Sequence, residues 1–113
     1  MSYTVFEYVY RDAANFKVFG EAWLSGILTA AEKERILYFC DSSEFFVATQ
    51  IGVDDLLSKM TTDGELLSIN DHGWHGVIGF RTEDNLPNEN IIWGTAEYFL
   101  NKFVETDGNW KVS

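Results

Sequence analysis

The sequence predicts an α+β domain: a mainly antiparallel four-stranded sheet with two main helices packed on one face. Three observations carry this. Four stretches alternate with the period of a half-buried strand. Two stretches have helical spacing behind recognisable start signals. The first two strands are joined by only five residues, which makes an antiparallel hairpin the shortest connection. The chain of 113 residues is expected to form a single domain over residues 1–113, large enough to bury a core without disulfides or a metal staple.

The first strand, Tyr3 to Tyr10, is rich in aromatic and β-branched residues and free of Gly and Pro, the composition of a strand. Phe6, Tyr8 and Tyr10 share one face. Tyr3, Val5, Glu7 and Val9 share the other. A strand apolar on both faces belongs inside a sheet. Residues 11–15 are polar or small and suit a turn. Phe16 to Leu24 forms the second strand, with Phe16, Val18, Ala22 and Leu24 on one face and Lys17, Phe19, Glu21 and Trp23 on the other. Gly20 marks a bulge.

Thr29 and Glu32 have capping-box spacing, so a helix is expected from Ala30 to about Cys40, burying Ile36, Leu37 and Cys40. Glu44 to Ile51 alternates as a third strand, closed by Gly52. Val53 to Met60 has the pattern of a short helix, whereas residues 65–69 are too short for periodicity to decide. Val77 to Thr82 is the fourth strand, with Ile78 and Phe80 on one face and Val77, Gly79 and Arg81 on the other. Glu83 to Asn90 is a polar loop. The last helix starts near Gly94 or Thr95 and runs to about Glu105, with Ala96, Phe99, Leu100, Phe103 and Val104 on one side.

Eighteen acidic residues face eight basic ones, a net charge of −10. Direct contact with nucleic-acid phosphates or an anionic membrane surface is therefore not expected. No window is long and apolar enough to span a bilayer. No basic segment followed by an apolar run marks a signal peptide, and the single cysteine, Cys40, fits a reducing compartment, so a cytoplasmic location is expected. The acids serve solubility or, if arrayed on one face, imitation of a DNA backbone.

Two clusters concentrate polar chemistry. Tyr10, Arg11, Asp12, Asn15 and Lys17 surround the first turn, where Arg11 is suited to fork a carboxylate or phosphate. The same residue types also satisfy ordinary turn chemistry. Asp71-His72-Gly73-Trp74-His75-Gly76 holds both histidines. In a turn, His72 and His75 fall on one side and with Asp71 suit a metal; in an extended strand they point apart. The alternative is a loop that bonds to backbone groups while Trp74 packs on the sheet edge. Cys40, on a buried helix stripe, is not placed as a nucleophile, and no phosphate loop, nucleophile elbow or dinucleotide fingerprint is present. Phe19 and Trp23, on the polar face of the second strand, suit a partner or a covering layer equally.

Tyr10-Arg11-Asp12-Ala13, Asn15-Phe16-Lys17, Gly20 and Asp71-His72-x-Trp74-His75 resemble the motifs of a group of small uncharacterised bacterial proteins, over residues 3 to 82. The resemblance carries no activity, but it implies that the two motif clusters meet in space. The expectation is a non-catalytic domain that binds a protein partner through Tyr10, Arg11, Asp12, Asn15, Lys17, Asp71, His72, Trp74 and His75, as an inhibitor or immunity protein of a bacterial or phage conflict system would. No cofactor is expected. A metal-dependent hydrolase at Asp71, His72 and His75 and a DNA mimic are the alternatives.

Overall fold

The computed structural model describes residues 2–11, 17–54, 56, 74–87 and 91–110. The elements run β1 (Tyr3–Arg11), β2 (Lys17–Ser25), α1 (Ala30–Phe39), β3 (Phe45–Val47), α2 (Ala48–Ile51), β4 (Trp74–Glu83), β5 (Ile92–Thr95) and α3 (Ala96–Thr106). The class is α+β. The sheet has five strands in the order β3-β4-β1-β2-β5. β1 is central and antiparallel to both β2 and β4, whereas β5 lies parallel to β2. The sheet is thus five-stranded and mixed, where four antiparallel strands were expected, and a third, short helix joins the two main ones.

β1 has the two faces expected of it. Phe6, Tyr8 and Tyr10 are fully buried on the side covered by the helices. Phe6 is the hub: its ring lies 4.8 Å from Phe99, 5.3 Å from Phe80 and 5.5 Å from Phe46. Burying a large apolar side chain is worth about 1.5–3 kcal/mol, so this aromatic cluster ties α3 and β3 to the central strand. Thr4, also buried, donates to the Gly26 carbonyl at 2.8 Å and accepts the Leu28 N–H at 3.2 Å. One hydroxyl thereby holds the β2–α1 connection against β1 and leaves no orphaned polar group there.

Both main helices begin as their sequence signals indicate. Thr29 and Glu32 exchange both capping-box bonds at α1, and the Thr95 hydroxyl accepts the Tyr98 N–H at α3. α3 buries Ala96, Phe99 and Phe103. On α1, Ile36 is buried and the capping Cys40 with it, while Leu37 is only half-buried. The indole N–H of Trp110 donates to the Phe39 carbonyl at 2.8 Å, pinning the chain beyond α3 to the end of α1.

Four expectations are corrected. The third strand ends at Val47, and Ala48–Ile51 turns into helix, burying Ala48 and Ile51 one turn apart. Gly52 then closes this turn at φ 91°, a conformation that side chains resist. β5 was not anticipated: it is four residues long, includes Gly94, and pairs with a strand distant in sequence. Gly20 is not a bulge, because β1 and β2 stay in register across it. Its lack of a side chain serves close packing instead, since a Cβ there would lie 2.8 Å from Tyr8 Cζ. Irregularities fall instead in β5, whose register with β2 shifts between Trp23 and Leu24, and in β4, whose register with β1 shifts between Glu7 and Tyr8. Ile78 is the extra residue and is exposed, while Val77 turns towards the core. The short helix expected over Val53–Met60 and the stretch 65–69 fall largely or wholly outside the described residues.

Candidate functional site

At the end of the sheet where β1 finishes and β4 begins, one described residue of each sequence cluster meets the other. The rings of Tyr10 and His75 lie 5.1 Å apart. β4 begins at Trp74, so Trp74, His75 and Gly76 are strand residues and not parts of a turn. Being extended, the chain sends Trp74 and His75 to opposite sides of the sheet.

His75 goes to the covered side. It is 1% exposed, with its ring 6.0 Å from Tyr8 and 5.9 Å from Phe46. Its Nε2 accepts the backbone N–H of Leu56 at 3.0 Å, so that nitrogen carries no proton and its lone pair is engaged. Beside it, Tyr8 donates its hydroxyl to the Asp54 carbonyl at 2.9 Å. Both rings secure the chain after α2 to the sheet. A metal ion at His75 Nε2 would have to displace the Leu56 bond. Asp71 and His72 lie outside the described residues, as do Asp12 and Asn15. Among the described residues, no group of three or more His, Cys, Asp or Glu side chains is placed to hold a metal.

Arg11, Lys17 and Trp74 go to the other side, which no described element covers. This bare face is organised in rows across β1 and β2, fixed by register. Arg11 stands opposite Lys17. Val9 stands opposite Phe19, then Glu7 opposite Glu21, then Val5 opposite Trp23. Beside Val9 on β4 is Gly76, and beside Glu7 is Gly79. Phe45 on β3 pairs with Gly76, and its ring meets Trp74 at 6.5 Å. Phe19 is 64% exposed. Val9, Phe19, Phe45 and Trp74 thus form an aromatic belt across the sheet, bordered by two cations. Sequence reasoning placed Trp74 here but missed Val9 and Phe45. The alternation of residues 45–47 held the signal for Phe45, although it did not reveal which face would be left uncovered.

Electrostatics divides the face. Arg81 bonds Glu21 at 2.8 Å, Glu83 at 2.9 Å and Glu7 at 3.0 Å. Hydrogen bonds donated to Glu21, then Glu83, hold its guanidinium proton even more firmly than usual. The same group lies 5.7 Å over the Trp23 ring, closing off Val5 and Trp23, which are buried. Trp23 is therefore covered by its own sheet neighbours, and Phe19 is the aromatic left open. Three carboxylates against one guanidinium leave this end acidic. At the opposite end Arg11 and Lys17 pair with no carboxylate among the described residues.

Elsewhere the chemistry is muted. Burial pushes the Cys40 thiol up to about 12, so it is neutral and unreactive near neutral pH. Trp93 donates to the Gly52 carbonyl at 2.8 Å and packs on Phe99, a structural role. A shallow groove of about 730 Å³ between α1 and α3 is lined by Arg35, Tyr38, Leu100 and Val104 among others. No helix among the described residues is long and apolar enough to cross a membrane. Comparison with known proteins found no matching family model, no matching curated protein and no matching solved structure.

Proposed function

We propose that this chain is a non-catalytic protein-interaction domain whose partner covers the bare face of the sheet at its Arg11–Lys17 end. The observation that carries this is the exposed Phe19 ring, set in a belt with Val9, Phe45 and Trp74 and bordered by the two cations. An antiparallel sheet with one face in water normally alternates to polar residues on that face. Here an aromatic belt stands where polar residues would be expected, and apolar surface rimmed by charge is the composition of a contact site. His75 supports the site from beneath: its bond to Leu56 fixes the start of β4, and with it the place of Trp74. Such a domain acts by occupancy. It holds or blocks the protein it covers, the role of an inhibitor or immunity protein in a bacterial or phage conflict system.

The test is capture from lysate by the immobilised chain, compared across three folded variants. Phe19→Ser and Trp74→Ala are expected to weaken the captured complex by about 30-fold, the effect of losing a central contact residue. Tyr38→Ser, on the α1–α3 groove, is expected to leave it intact. A complex that survives both belt substitutions, or is lost with Tyr38→Ser, would place the contact elsewhere.

A further inference from the structure

We infer that, in the isolated protein, the bare face is occupied by a second copy of this chain, packed about a two-fold axis that crosses the Val9–Phe19 row. This rests on the bare face being the contact surface and names its occupant. The argument begins with two like-charge pairs. Arg11 is directly opposite Lys17, and Glu7 directly opposite Glu21. Like charges facing each other across an antiparallel pair are unfavourable. Arg81 relieves the acidic row, whereas the basic row has no counterpart within the described residues.

The geometry then supplies one. Along each strand the basic row lies two residues before the Val9–Phe19 row in one direction, and the acidic row two residues beyond it in the other. Two residues of strand span about 7 Å, so the rows are evenly spaced about the aromatic belt. A two-fold axis lying in the interface, perpendicular to the strands, reverses strand direction and leaves each strand over its own counterpart. Arg11 of one copy then falls over Glu7 of the other, Lys17 over Glu21, and Phe19 over Phe19. Symmetry makes each of the two charge pairs twice and sets the Phe19 pair on the axis, as an isologous interface requires. The charges also match. Glu7, Glu21 and Glu83 less Arg81 leave a surplus of two negative charges, and Arg11 with Lys17 supply two positive ones.

Shape agrees on the neighbouring strand. Trp74 lies two residues before Gly76 on the same face of β4, and the same rotation sets its ring over Gly79 of the second copy. Gly79 has open space where a side chain would stand. Two sheets stacked face to face settle about 10 Å apart with their strands some 30° off parallel, an offset such rows tolerate. The chain carries −10 overall, so most encounters between copies are repelled. On this face three acids, Glu7, Glu21 and Glu83, meet three bases, Arg11, Lys17 and Arg81, so repulsion there is lifted.

Sedimentation velocity on the purified chain tests this. The wild type is expected to show a reversible species of twice 12.9 kDa that dissociates on dilution and as salt is raised, because its ion pairs are exposed. The double variant Arg11→Glu, Lys17→Glu is expected to be monomeric, with its fold verified by circular dichroism. The opposite double variant, Glu7→Lys, Glu21→Lys, is expected to be monomeric too. Mixed one to one, the two are expected to associate, since one presents only acids and the other only bases in these rows. If the lysine pair does not fold beside Arg81, loss of the dimer in the glutamate pair, with the dimer kept in Tyr38→Ser, carries the same information. A wild type that stays monomeric at about 100 µM, above the range of useful self-association, overturns the inference, as does a dimer indifferent to Arg11 and Lys17. If the wild type is monomeric but Phe19→Ser still loses a captured partner, the second copy is refuted while the face remains the contact surface.

Discussion

At the residue scale, Gly20 shows how a correct position can carry the wrong reason. It was identified from sequence as irregular, because glycine weakens a strand, and a bulge is the usual explanation. The actual cause is Tyr8, whose ring passes over the glycine from the adjoining strand and is held there by its bond to Asp54. That contact depends on a side chain twelve residues away and cannot be read from local pattern. Gly20→Ala is expected to cost about 1–3 kcal/mol through overpacking, read as a lower urea midpoint with an unchanged m-value. His75 was singled out for its chemistry, yet the strand that carries it buries it. Cys40 gives a pH prediction. Its thiol is at about 12 in the fold and at the ordinary 9.0 when exposed. The folded state therefore keeps the proton that the unfolded chain releases. This contribution to stability is complete below pH 9 and is lost progressively as pH rises from 9 towards 12. Denaturation midpoints across that range should fall, and Cys40→Ala should flatten the decline.

At the element scale, legibility followed length and capping. α1 and α3 each run ten residues or more behind a threonine cap, and both were placed to within about a residue at each end, inside the usual disagreement over helix ends. β1 and β2 were equally clear, because nine residues of alternation leave little ambiguity. β3, α2 and β5 are three or four residues each, too short for any period to show. Their identity comes from tertiary pairing: β3 stops where its register with β4 stops, and β5 exists because β2 offers an edge. The bulge at Ile78 exchanged the expected faces of Val77 and Ile78 for the same reason, since only the partner strand reveals an extra residue. Two substitutions check this layer. Thr29→Ala, which removes the bond from the Glu32 N–H to the Thr29 hydroxyl, is expected to cost about 1 kcal/mol with the fold retained. Ile78→Ser is expected to stay within about 0.5 kcal/mol of the parent, as an exposed site should, in a thermal or urea melt.

At the scale of the whole molecule, one arrangement governs the rest. The helices and the aromatic hub around Phe6 use up one side of the sheet, and among the described residues nothing covers the other. The division of faces on β1 was legible, because alternation alone separates Phe6, Tyr8 and Tyr10 from Val5, Glu7 and Val9. The meaning of the second face was not. Whether Phe19 and Trp23 met a second layer or a partner depended on what lay above them. The outcome differs for the two: Trp23 is roofed by Arg81 and Tyr3, and Phe19 is open. The candidate site was legible as residue types, and Tyr10 of one cluster does meet His75 of the other, but the split that puts Tyr10 and His75 beneath the sheet and Arg11, Lys17 and Trp74 above it appears only with the strand register. The measurement that bears most directly on the bare face is a set of amide ¹H–¹⁵N spectra recorded across a dilution series of the wild type. The shifts are expected to concentrate on Val9, Arg11, Lys17, Phe19, Glu21 and Gly79, with α1 and α3 unmoved. Shifts confined to Glu34, Tyr38 and Asn101 on the helical side would contradict the assignment of the bare face as the surface through which this protein makes its contacts.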